Sequence, residues 1–143
     1  MTVKELQQET VANMKTWQKV ENESIASTGE IMAKTENPII RLVMEIIQRD
    51  SQMHYWVQGW IANTLEYRTV SLSPDELAGI SDMISRHIQI ERKMVESAEQ
   101  QLAAIKNAGM LAQQYFINYL LEDERKHSRL LDSLEILVKG MKP

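Results

Sequence analysis

The chain has 143 residues, of which 43% are hydrophobic and 25% charged, and its formal net charge is −4. This composition fits one globular domain with a core of its own, or at most two very small domains. An acidic chain offers no basic face to a phosphate backbone, so we do not expect nucleic-acid binding. The absence of cysteine excludes disulfides, zinc fingers, thiolate-bound iron–sulfur clusters and a cysteine nucleophile. With no long apolar run and no signal-like start, the sequence predicts a cytoplasmic protein.

Helix start and stop signals divide the chain into four segments. The predicted helices are A from 2 to 34, B from 38 to 68, C from 74 to 106 and D from 109 to 139. Thr2 and Ser73 each precede a glutamate by three residues, the spacing of a capping box, and Asn37 precedes a proline. Four helices of about 30 residues with short connections predict an all-α, antiparallel, up-down-up-down four-helix bundle forming a single domain over residues 1–143.

Each predicted helix carries ionisable side chains about midway along its apolar stripe. These residues are Glu21 on helix A, Asp50 and His54 on helix B, His87 and Glu91 on helix C, and Asp123, Glu124 and His127 on helix D. Taken alone, each histidine is typical of a core residue with its hydrogen bonds made, and each acidic residue near it is typical of a salt bridge within a helix. All three histidines of the chain, however, lie on these stripes within one turn of an acidic residue. Because such groups are costly to bury unpaired, the pattern favours mutual neutralisation or a bound cation.

The segment 116–131, FINYLLEDERKHSRLL, resembles the last helix of the ferritin-like superfamily, especially its rubrerythrin-like branch. The resemblance implies a ferritin-like bundle in which helices A and C each give a glutamate, and helices B and D each give Glu-x-x-His, to two iron or manganese ions. It assigns Glu124 as a bridging ligand, and His127 and Glu91 as further ligands. Activities of that family are ferroxidation, peroxide reduction and oxygen activation. A redox role here would need electrons from another protein, because the chain lacks a cysteine module.

The first half of the chain matches that pattern only in part. Trp17-x-x-x-Glu21 aligns with His87-x-x-x-Glu91, and residues 50–54 align with 123–127, which nominates Glu21, Asp50 and His54. Ser51, however, stands where the resemblance requires the second bridging glutamate.

Three outcomes are physically open at this altered site. Asp50 substitutes for the missing glutamate, His87 supplies an additional nitrogen to a changed and possibly mononuclear site, or the cluster binds no metal. Mixed imidazole and carboxylate ligands suit iron, manganese or zinc. The leading hypothesis is therefore an altered carboxylate–histidine metal site with an oxidoreductase or metal-handling role. The alternative is a metal-free interaction protein with a vestigial site.

Two other helical-bundle families are minor alternatives. Hemerythrin-like proteins also use His-x-x-x-Glu, as in His87 and Glu91, but they need about five histidines and this chain has three. DinB-like bundles have a similar length and use a histidine triad, and helix D fits the ferritin-like pattern better.

A second apolar ridge runs along helix B, roughly 80–160° from His54 at 100° per residue. It comprises Leu42, Ile46, Met53, Trp56, Trp60 and Tyr67. Aromatic residues are favoured anchors of protein interfaces, so the ridge predicts a homodimer through Trp56 and Trp60, although packing within the bundle explains it equally well.

Overall fold

The computed structural model describes residues 1–141, and these residues are all-helical, as predicted. The helices are α1 (Val3–Lys34), α2 (Pro38–Glu66), α3 (Pro74–Ala78), α4 (Ser81–Ile105), α5 (Leu111–Asp132) and α6 (Leu134–Gly140). The chain divides into two compact units, one from Met1 to Val70 and one from Ser71 onward. The antiparallel arrangement of all helices in one bundle stays a prediction, and residues 142 and 143 of the predicted domain lie outside the described residues.

The predicted starts of helices A, B and C are confirmed by their caps, whereas α5, which corresponds to helix D, begins at Leu111 without a side-chain cap. The hydroxyl oxygens of Thr2 and Ser73 accept hydrogen bonds from the backbone N–H three residues on, and Glu5 and Glu76 complete the two capping boxes. The Asn37 side chain accepts from two backbone N–H groups of the first turn of α2. These contacts satisfy N–H groups that have no partner inside a helix, and they fix where the helices begin.

Predicted helices C and D are each interrupted. The first part of helix C ends at Ala78, after which the N–H of Gly79 donates to the Asp75 carbonyl and that of Ile80 to the Leu77 carbonyl, and α4 begins at Ser81. Helix D is interrupted at Ser133, whose backbone N–H and hydroxyl both donate to the Arg129 carbonyl, a local arrangement that often bends helices. The predicted turn between C and D is present, and Gly109 there has φ 71°, a conformation that glycine adopts without strain.

The first unit is an antiparallel hairpin of α1 and α2 that buries Met14 and Ala62 and has several hydrogen bonds between the helices. The Gln18 side chain donates to the Tyr55 carbonyl at 3.1 Å, and Gln48 donates to the Ile25 carbonyl at 3.1 Å. Ser51 is buried at 5% exposure, and its Oγ lies 2.8 Å from Oγ of Ser24. The face of α2 that meets α1 therefore includes buried hydrogen bonds, whereas Met53, Trp56 and Trp60 of α2 stay exposed.

In the second unit, α4 and α5 run antiparallel and carry the main contacts. Arg125 pairs with Glu99 at 2.7 Å, and the Gln114 side chain donates to the Ile105 carbonyl at 2.8 Å. Ile105 and Leu121 are buried among the apolar residues, and Glu91 is the charged residue buried with them. This register places the middle of α4 beside the C-terminal half of α5.

Many residues of the predicted inward stripes are exposed, contrary to their expected burial. Examples are Leu6, Trp17, Ile39, Ile40, Ile47, Val57, Leu120 and Leu130. A helix in a two-helix hairpin meets its neighbour along one face only, so a stripe wider than that face stays accessible. Among the described residues, no helix is both long enough and apolar enough to cross a membrane.

Candidate metal centre

Three predicted ligands of the second unit come together between α4 and α5. Glu91, Glu124 and His127 each offer one ligand atom, and these atoms lie within 4.8 Å of one another. Nδ1 of His127 is 3.5 Å from Oε2 of Glu91 and 3.6 Å from Oε2 of Glu124. Glu124 and His127 reach the same point because residues three apart share a face of α5, and Glu91 approaches from α4.

The Glu91 carboxylate is the buried member of this group. The residue is only 7% exposed, and among residues 1–141 its Oε2 receives no hydrogen bond. The other oxygen, Oε1, lies 2.9 Å from Nε2 of His87, so the two oxygens have different surroundings. A buried carboxylate oxygen without a donor is costly, and the cost is removed when the oxygen binds a cation.

Two neighbours complete the surroundings of the group. Oδ2 of Asp123 lies 3.7 Å from Nε2 of His127, on the side of the ring that faces away from Glu91 and Glu124. Metal-binding histidines commonly present their second ring nitrogen to a carboxylate, which fixes the orientation of the ring. His87 contacts Oε1 of Glu91, the carboxylate oxygen that does not face His127. Both residues are placed to orient ligands.

In the first unit, the structure brings Glu21 and His54 together. Oε1 of Glu21 lies 3.5 Å from Nδ1 of His54, the same separation as between Glu91 and His127. Oε1 of Glu21 also accepts a hydrogen bond from the Gln58 side chain at 3.3 Å. Ser51, which aligns with Glu124 in the comparison of residues 50–54 with 123–127, has no charge and pairs with Ser24. The first unit therefore repeats one carboxylate–histidine pair without the third ligand.

The seven predicted site residues thus fall into three sets. Glu91, Glu124 and His127 form the group, with His87 in contact through Glu91. Glu21 and His54 form a separate pair in the first unit. Asp50 is exposed on α2 and takes no part in that pair, and its role as a substitute for the missing glutamate stays a prediction.

Sequence reasoning did not identify the role of Gln58 beside Glu21. It lies one turn beyond His54 on the same face of α2, and that spacing is the signal that could have identified it.

The second-unit group can hold a single divalent cation. Two carboxylate oxygens this close repel each other, and a cation between them removes the repulsion while using the imidazole nitrogen as a third ligand. Comparisons of the chain with known protein families, with curated proteins and with solved structures find no match. The chemistry of the group therefore rests on its residues alone.

Proposed function

We propose that the protein binds one divalent transition-metal ion per chain through Glu91, Glu124 and His127. The observation that carries the proposal is Oε2 of Glu91, which is buried, receives no hydrogen bond among residues 1–141 and faces the His127 ring nitrogen at 3.5 Å. His87 and Asp123 orient the ligands. The donor set leaves room for water or a substrate on the metal, as in sites that do chemistry.

The ligand set favours iron, manganese or zinc. One imidazole selects against purely oxygen-preferring cations such as calcium, and two carboxylates select against soft metals such as copper(I). Bound iron or manganese would supply redox chemistry at this position, and zinc would supply Lewis acidity. The chain itself contributes a carboxylate-rich, half-buried surrounding in which His127 is 40% exposed at the side chain, so small molecules can approach.

A ferritin-like arrangement and a metal-handling or oxidoreductase role are part of the same proposal. They are supported by the repeated pair, Glu21 with His54 and Glu91 with His127, each on an antiparallel helix pair and each 3.5 Å apart. The first unit has no counterpart of Glu124, so Glu21 and His54 provide too few ligands for a second tight metal site. We therefore propose a mononuclear centre in place of a dinuclear one, in a protein that works in the cytoplasm.

Metal content tests the proposal. Purified protein is incubated with Mn(II), Fe(II) or Zn(II), desalted and measured by plasma mass spectrometry. We expect about one ion per chain, falling at least tenfold in Glu124→Gln, because the substitution keeps the size of the side chain and removes its charge.

The matched control for that variant is Glu99→Gln. Glu99 is an exposed glutamate whose partner is Arg125, so its substitution should leave the metal content unchanged. Equal content in both variants, or no retained metal in the wild-type protein, would contradict the proposal.

A metal-free interaction protein is the second candidate. It is favoured by the exposed tryptophans of α2, Trp56 and Trp60, since monomeric proteins rarely leave large aromatic residues clustered in water. The metal measurement distinguishes the two functions, because a metal-free interaction protein would retain no ion, and Glu91, Glu124 and His127 would pair only with one another.

A further inference from the structure

The outer ridge of α2, defined as Leu42, Ile46, Met53, Trp56, Trp60 and Tyr67, lies on the side of the helix away from α1. Four α2 residues that hydrogen-bond to α1 are centred roughly 160° from the ridge at 100° per residue; they are Gln48, Ser51, Tyr55 and Gln58. Tyr67 is 79% exposed, Trp56 68% and Trp60 56%. α1 therefore cannot cover the ridge, which runs for roughly 38 Å along the helix.

The spacing of the ridge residues is that of a seam, the line along which two packed helices touch. From Leu42 to Tyr67 the steps alternate between four and three residues, with Arg49 and Asn63 completing the series. This is the 3.5-residue repeat that keeps one helix in contact with another along its length. The ridge therefore fits a helical partner.

We propose that the partner is a second copy of this chain, bound antiparallel through the outer ridge about a two-fold axis at the level of residue 51. The first half of the ridge is aliphatic and the second half aromatic. An antiparallel pair places Trp60 of one copy against Leu42 of the other, and Trp56 against Ile46. Residue numbers of each such pair add to the same total, so one axis satisfies every layer from Leu42 to Trp60, and Tyr67 lies beyond the paired length.

Charge excludes the parallel alternative. In a parallel pair, Arg49 of one copy would face Arg49 of the other within the seam, and each tryptophan would face itself. In the antiparallel pair, Arg49 faces Met53, and its guanidinium remains beside Glu45 of its own helix, to which it is bonded at 2.9 Å. Like charges directly opposed in an interface are costly, which selects the antiparallel orientation.

The accessible area is that of a small dimer interface. Since an aromatic side chain carries about 150–250 Å², the exposed parts of the five ridge side chains from Leu42 to Trp60 amount to roughly 500 Å² per copy. A symmetric pair would bury roughly 1,000 Å², the lower bound for a biological interface. Trp56 and Trp60 are the largest side chains of the patch, and tryptophan is a residue type in which binding energy concentrates.

The oligomeric state of the full chain tests this inference. Multi-angle light scattering at tens of micromolar should give twice the chain mass of 16.5 kDa. The double variant Trp56→Ala/Trp60→Ala should be monomeric and keep its far-ultraviolet circular dichroism. The control Trp17→Ala removes a 52% exposed tryptophan from α1 and should stay dimeric.

Cysteine cross-linking tests the orientation, since the chain has no cysteine of its own. An equimolar mixture of Leu42→Cys and Trp60→Cys proteins should form a mixed disulfide, whereas neither variant alone should. Residues 42 of the two copies would lie roughly 27 Å apart along the seam, beyond the reach of a disulfide.

Three results would overturn the inference. They are a monomeric wild-type protein, a dimer that survives the double substitution, and cross-linking of either single variant with itself. None of them bears on metal content, which is measured separately.

Discussion

Adding Mn(II) or Zn(II) at a hundredfold excess over its dissociation constant should stabilise the folded protein by about 2.7 kcal/mol, because the ion binds a site that only folding assembles. For a chain of this length, this corresponds to a rise in melting temperature of roughly 10 °C. Differential scanning calorimetry with and without the ion measures it. The rise should disappear in Glu91→Gln, in which the buried ligand oxygen loses its charge, and in His127→Ala.

The comparison variant for this measurement is His54→Ala. His54 belongs to the pair with Glu21 in the first unit, which provides only two ligand groups. Its removal should leave the metal-induced rise in melting temperature within about 2 °C of the wild-type value, because His54 is not a ligand of the proposed site. A rise of full size in His127→Ala would contradict the assignment of the ligands.

Ser51→Glu should destabilise the protein by about 3 kcal/mol or more instead of restoring a second metal position. Ser51 is 5% exposed and its hydroxyl lies 2.8 Å from that of Ser24. A glutamate there must force α1 and α2 apart or bury a carboxylate without a partner, close to the existing carboxylate of Glu21. Urea unfolding followed by circular dichroism measures the loss.

Two variants calibrate that result. Gln52→Glu adds the same charge one residue away at an exposed position of α2 and should change stability by no more than about 0.5 kcal/mol. Ser51→Ala removes only the hydroxyl pair and should cost about 1 kcal/mol. A stable Ser51→Glu protein that binds a second ion would show that the first unit retains a working half of a dinuclear site.

Local signals in the sequence predicted the helix starts because capping depends on a few adjacent residues. Thr2, Asn37 and Ser73 accept the hydrogen bonds that their positions predicted. The break at Ser133 was missed because the helical backbone hydrogen bonds continue through it, from the Ser133 N–H to Arg129 and from the Leu137 N–H to Ser133, and a single serine is no stop signal. The break after Ala78 was missed although Gly79 follows it, since a single glycine is compatible with an uninterrupted helix.

The ligand group was predictable as far as helical spacing reaches. Glu124 and His127 share a face at a spacing of three, and His87 and Glu91 at a spacing of four, so both pairs could be identified from residue numbers. Which pair contributes ligands, and which residue holds another in place, depends on the register between α4 and α5. That register is set by contacts such as Arg125 with Glu99, between residues far apart in the chain.

The position of the ion is the most direct measurement of the central claim. Crystals grown with Zn(II) and measured at the zinc absorption edge should show one anomalous peak per chain between Glu91, Glu124 and His127, about 2.0–2.2 Å from an oxygen of each carboxylate and from a ring nitrogen. A peak beside Glu21 and His54 instead, or carboxylates of Glu91 and Glu124 with no peak between them, would contradict it.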